Sequence, residues 1–87
     1  MKRKKRSSIE IIADILEITE EATLKTPLMY KTNLGFTQTN KYLDLLLGAG
    51  LLKKDDSGSH TRYIKTPKGD EYLNHYREIT NILGLEV

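Results

Sequence analysis

The stretch Thr26-Pro27-Leu28-Met29-Tyr30-Lys31-Thr32-Asn33-Leu34-Gly35-Phe36-Thr37-Gln38-Thr39-Asn40-Lys41-Tyr42-Leu43-Asp44-Leu45-Leu46-Leu47-Gly48-Ala49-Gly50 decides the fold. Thr26-Pro27 starts a helix: threonine caps free N–H groups, and proline has the φ of the first helical turn. Leu28, Met29, Tyr30 and Leu34 give this helix its apolar side. It ends at Asn33-Leu34-Gly35, where asparagine and glycine tolerate left-handed backbone. A second helix follows Phe36, with Thr37 as its N-cap. Thr39, Tyr42, Leu43, Leu46 and Leu47 lie on one face of it; Gln38, Lys41 and Asp44 lie on the other, with Asn40 beside them. Gly48-Ala49-Gly50 ends it. Two helices joined by a turn of about three or four residues, the second polar on its outer face, form a helix-turn-helix.

Upstream, Ser7-Ser8-Ile9-Glu10 is a capping box with Ser7 as N-cap. Ile9, Ile12, Ala13 and Leu16 follow at helical spacing, and Ile11, Ile15 and Ile18 widen the stripe to a second face. A helix apolar on two sides lies at the centre of a core or in a dimer interface. It is expected to end near Glu21. Downstream, Leu51-Leu52-Lys53-Lys54 pairs with Thr61-Arg62-Tyr63-Ile64-Lys65 across a polar loop of turn formers, Asp55 to His60. Thr66-Pro67 repeats the helix start. A last helix is expected over residues 67–83, with Tyr72, Leu73, Tyr76, Ile79 and Leu83 on its apolar side and Gly84 as the stop. The order helix, helix, helix, strand, strand, helix predicts a mainly α chain with a small β-hairpin, a winged helix-turn-helix. Residues 1–6 read as a disordered basic arm and residues 7–87 as one domain.

Composition narrows the function. The 87 residues hold no cysteine, so neither a disulfide nor a zinc–thiolate site supports the fold. No apolar run reaches the roughly 18–20 residues needed to cross a bilayer. Glu10, Asp14 and Glu17 break the stretch after the basic start, unlike the apolar region of a secretion signal. A cytoplasmic chain with no membrane partner is expected. Five of the 14 lysines and arginines sit at positions 2–6; the other nine face 12 acidic residues, a net of −3 from residue 7 onward. Affinity for nucleic acid must therefore come from the arm and from local placement of charge. His60 and His75 are far apart in sequence, no phosphate-binding or metal-binding motif occurs, and the carboxylate pairs are adjacent and solvated. No catalytic site, metal or cofactor is expected.

Several segments resemble the archaeal winged-helix family typified by the small Sulfolobus chromatin-like proteins of the 10-kilodalton class. They are residues 9–16, Leu28-Met29-Tyr30-Lys31-Thr32-Asn33-Leu34, Lys41-Tyr42-Leu43-Asp44-Leu45-Leu46-Leu47, Gly50-Leu51-Leu52 and Thr66-Pro67-Lys68-Gly69, within roughly residues 7–83. The resemblance implies an archaeal DNA-binding protein or transcription regulator, nucleoid-associated, that dimerises through its last helix. Two features depart from the pattern. The last helix stops near Gly84, short of the long coiled-coil rod that some members carry. Thr39 stands where a larger apolar residue is expected.

In this frame the helix after Phe36 is the recognition helix, since the major groove admits one helix and reads base edges near its N-terminus. Gln38 and Asn40 have amides suited to adenine, Lys41 suits a guanine edge or a phosphate, and Thr37 suits a phosphate. Lys31 is placed to touch the backbone. The wing carries Lys53, Lys54, His60, Arg62 and Lys65, with Arg62 near its tip for the minor groove. Lys2, Arg3, Lys4, Lys5 and Arg6 would track phosphates. Tyr30, Tyr42, Tyr72 and Tyr76 read as core or interface residues, and Tyr63 as packed. A homodimer on double-stranded DNA is expected, with Leu73, Tyr76, Ile79 and Leu83 central to its contact. The rival is a winged helix used as a protein-interaction module, which the acidic body favours.

Overall fold

The structure is a computed structural model that describes residues 6–84; Lys2, Arg3, Lys4 and Lys5 of the expected arm lie outside them. Helix α1 spans Ser8–Ile18, strand β1 Thr23–Leu24, helix α2 Lys25–Thr32, helix α3 Phe36–Gly48, strands β2 and β3 Leu52–Asp55 and Arg62–Lys65, and helix α4 Pro67–Leu83.

The capping box at Ser7 forms as read: its hydroxyl accepts from the Glu10 N–H while the Glu10 carboxylate accepts from the Ser7 N–H. Helix α1 stops at Ile18, short of Glu21. The fully buried Thr19 hydroxyl donates to the Ile15 carbonyl oxygen at 2.8 Å, and the chain then turns into β1. Strand β1 is an element the sequence reading lacks. Its two residues pair antiparallel with Tyr63 and Arg62, giving a sheet ordered β1-β3-β2.

Helix α2 begins at Lys25, before the expected Thr26-Pro27, and no side chain caps it. Pro27 fits inside the first turn because N–H groups there have no partner within the helix. Asn33 takes the left-handed conformation at φ 59°, and the Leu34 N–H donates to the Met29 carbonyl oxygen. Gly35 keeps φ −76° and serves as the N-cap of α3, so Thr37 sits inside that helix and is not its cap.

The core joins Ile11, Ile15 and Leu16 of α1 to Leu28 of α2, Leu43 and Leu46 of α3, Leu52 and Tyr63 of the hairpin, and Leu73 of α4. Thr39 is fully buried, and its hydroxyl donates to the Gly35 carbonyl oxygen at 2.8 Å. A polar side chain is thus satisfied where a larger apolar one was expected. Helix α4 has the expected limits, with Thr66 as N-cap and a left-handed Gly84 as stop. It packs along α1.

Candidate nucleic-acid interface

Helix α3 turns Thr39, Tyr42, Leu43 and Leu46 into the core. That anchoring leaves Thr37, Gln38, Lys41, Asp44 and Leu45 exposed on its outer side. Lys41 is the one cation of that face and Asp44 its one anion, one helical turn apart in reach. Asn40 is half-buried, and its amide oxygen accepts a hydrogen bond from the Lys25 Nζ at 2.6 Å. Of the two expected amides, Gln38 is the one open on both its donor and acceptor sides. Lys25 also lies over the ring of Phe36, 5.2 Å from its centroid. The sequence reading gave Lys25 no part, because the α2–α3 contact that employs it is tertiary.

Two tyrosine expectations divide. Tyr42 and Tyr63 are buried, and Tyr72 and Tyr76 pack partly against the core. Tyr30 is 81% exposed and belongs to no core. It lies on the outer side of α2 with Thr26, while Leu28 and Thr32 take the inner side.

The wing differs from its reading in two ways. Arg62 is the first residue of β3, opposite Asp55, so its backbone stands at the base of the loop while its side chain runs toward the loop's middle. Its guanidinium lies back against Gly58. Asp55 accepts from the Ser57 hydroxyl and the Ser57 N–H; these bonds, with help from Arg62 and Lys53, hold its carboxyl below the usual carboxylate range. Lys65 is unavailable to DNA. Its ammonium is nearly buried between Asp70, at 2.7 Å, and Glu20, at 3.9 Å. Lys53, Lys54 and His60 are exposed. Lys31 is exposed too, but it shares a shallow concavity with Arg62 and with Glu17, Glu20 and Glu21.

Arg6 departs from the disordered arm. Its guanidinium pairs with Asp14 at 2.6 Å and donates to the Thr32 carbonyl oxygen, pinning the chain to α1 and to the end of α2. The expected dimer surface also needs a correction. Leu73 is 1% exposed because it fills the core between α1 and α4, so it cannot meet a second copy. Tyr76, Ile79 and Leu83 do line a surface groove of about 400 Å³ together with Ile9 and Tyr72. Among the described residues, no group of histidine and acidic side chains is placed to hold a metal, and no helix is long and apolar enough to cross a membrane.

A model of the winged helix-turn-helix family matches residues 5–84. The chain belongs to the winged helix-turn-helix family. Among solved structures, this winged helix-turn-helix is similar to Sso10a-2, a DNA-binding protein from Sulfolobus solfataricus. The TM-score is 0.81 at 29% identity, over 91% of this chain and 83% of that one. It is also similar to an uncharacterised protein of Methanocaldococcus jannaschii, 42% identical over 55 residues, which are 62% of this chain. That match spans 57% of the relative's length. The resemblance read from the sequence to the small Sulfolobus proteins therefore holds at the level of the fold.

Proposed function

We propose that this winged helix-turn-helix binds double-stranded DNA as a homodimer, with α3 in the major groove. The observation that carries the reading is the open outer face of α3. Thr37, Gln38 and Lys41 project from a helix whose other side is locked into the core, in a frame shared with a protein that binds DNA. Gln38 presents a donor and an acceptor to an adenine edge, and Lys41 reaches a guanine edge or a phosphate. Asn40, tethered by Lys25, orients this surface and offers its amide N–H groups. Thr37, Lys31, Arg62, Lys2, Arg3, Lys4 and Lys5 serve the backbone. The carboxylates beside Lys31 and Arg62 make these two the weaker contacts. Arg6 acts by fixing where the basic segment leaves the domain.

This reading calls for no catalysis and no cofactor. It covers a transcription regulator and a chromatin-associated protein alike, either of which acts in the cytoplasm or on the nucleoid. The two differ in how strongly affinity depends on base sequence.

The test is fluorescence anisotropy on mixed-sequence duplex DNA across a salt series, with the full chain, a chain lacking residues 2–5, and Lys41→Ala. The full chain is expected to bind with a steep salt slope. Each lost phosphate contact lowers that slope by about 0.9, so the shortened chain binds more weakly and with less salt dependence. If the full chain binds no duplex at low salt, and selection from a random duplex library recovers no site, the DNA reading falls. The acidic concavity of Glu17, Glu20 and Glu21 then becomes the surface of a protein-interaction module.

A further inference from the structure

Phe36 is the first residue of α3, and it is absent both from the core and from the partly buried side chains packed against it. It stays 62% exposed, so its ring gains little from burial. The ring is nonetheless held in place. The Lys25 ammonium lies over it, 5.2 Å from the ring centroid. The same ammonium donates to the Asn40 amide oxygen at 2.6 Å, and Asn40 stands one helical turn on from Phe36 along α3. A tethered cation thus covers one face of the ring and leaves the rest of it to solvent.

The place of this ring gives it a use. A helix that enters the major groove meets base edges near its N-terminus, and Phe36 is there, next to Thr37 and Gln38 of the open outer face. The approach is clear: a Cβ added to the preceding Gly35 would meet no atom within 4 Å. Leu45 is the other exposed large apolar residue of α3, at 51%. It lies about 13 Å further along the axis, at 1.5 Å per residue, too far to share a base pair with Phe36. Phe36 and Gln38 are two residues apart, about 200° around the helix. They flank the outer face from opposite sides and so address different base pairs.

We infer that Phe36 reads the methyl group of a thymine. The inference rests on the DNA reading and names what the start of α3 selects within the duplex. The thymine C5-methyl is the apolar group that base edges offer in the major groove. A phenyl ring has neither donor nor acceptor: it gains contact area from that methyl, and it leaves a base amine or carbonyl unpaired when it covers one instead. The Lys25 ammonium holds the ring ready, so little rotamer freedom is lost on binding. With Gln38 on an adenine, each half-site then carries a thymine and an adenine on separate base pairs.

The test uses the duplex site that the full chain recovers from a random library. Deoxyuridine replaces each thymidine of that site in turn, which deletes the methyl and keeps the base pairing. Wild-type affinity should fall about fourfold at one position per half-site, the worth of one buried methyl-sized group. Phe36→Ala should bind more weakly and treat thymine and uracil alike at that position, while Phe36→Leu, still apolar, should keep part of the preference. Both variants should retain the helical circular dichroism and melting temperature of the wild type, because Phe36 lies outside the core. A Phe36→Ala chain that still prefers thymine there, or a wild-type chain indifferent to every methyl, overturns the inference and leaves the DNA reading standing. So does a chain that binds mixed-sequence duplex but recovers no site. A chain that binds no duplex and recovers no site removes the DNA reading and this inference with it.

Discussion

Gly69 sits in the first turn of α4, where alanine has the better helix propensity by about 1 kcal/mol. Propensity loses here. A Cβ at this position would lie 2.6 Å from the Leu51 carbonyl oxygen and 2.6 Å from Lys65 Cγ. The carbonyl accepts the Thr66 N–H at 3.0 Å and cannot swing away without breaking the junction of strand and helix. Gly69→Ala should therefore destabilise the fold by about 1–3 kcal/mol, the usual cost of overpacking, measured by urea denaturation. A variant as stable as wild type would mean that α4 slides freely over the hairpin. Thr39 gives the converse case. Its hydroxyl bonds a carbonyl oxygen that the Thr39 N–H already engages, so Thr39→Val should cost less than about 1 kcal/mol. Thr39→Leu, closer to the residue the family pattern suggests, should cost about 1–3 kcal/mol for want of space.

The seam between α1 and α4 carries a pH signature. Burial pushes the Tyr72 hydroxyl above the usual tyrosine value, and the hydroxyl donates to the Ile9 carbonyl oxygen at 2.9 Å. Burial also raises Tyr76, aided by the carboxylates of Glu10, Asp14 and Glu17. Groups that hold their protons more tightly when folded stabilise fully below the unfolded value of about 10, and that stability is lost as pH rises through the folded value. Absorbance titration at alkaline pH should show these two tyrosines ionising late, with stability declining over the same range; Tyr72→Phe should flatten the decline. A decline unchanged in that variant would place the alkaline weakness elsewhere. This seam and the helices around it were legible because caps and helical periodicity are local signals: Ser7 with Glu10, Asn33, and Thr66 with Gly84 lie within a few residues of what they define. Strand β1 was not legible, because its two residues show no alternation and their partners lie about forty positions away. The site was less legible than the fold for the same reason. Whether a cation is free is a tertiary fact: Lys65 is spent on Asp70, Arg6 on Asp14 and Lys25 on Asn40, and nothing near them in sequence says so.

At the scale of the whole molecule, a single domain offers one α3 and a body whose charge is negative from residue 7 onward. One recognition helix with Lys41 as its outward cation gives weak purchase on a duplex. A second copy changes this by effective concentration, raising affinity for two half-sites by about 100-fold or more without any new kind of contact. In the proposed dimer, that copy would sit on the groove between α1 and α4. Ile9 is 59% exposed, Ile79 55%, Ile82 82% and Leu83 63%, an apolar patch that water meets unfavourably. The side chains pointing outward there leave the core intact when changed, because Leu73 is buried in the core whereas Ile79 is 55% exposed. Ile79→Asp should thus keep its helical circular dichroism and melting temperature at low concentration while sedimenting as a monomer. Its affinity for a duplex bearing two half-sites, about 34 Å apart, should fall about 100-fold, while its affinity for a single half-site should not change. A wild-type chain that sediments as a monomer at tens of micromolar would remove the dimer, and α3 would then have to read one half-site with the basic residues 2–5 supplying the remaining affinity.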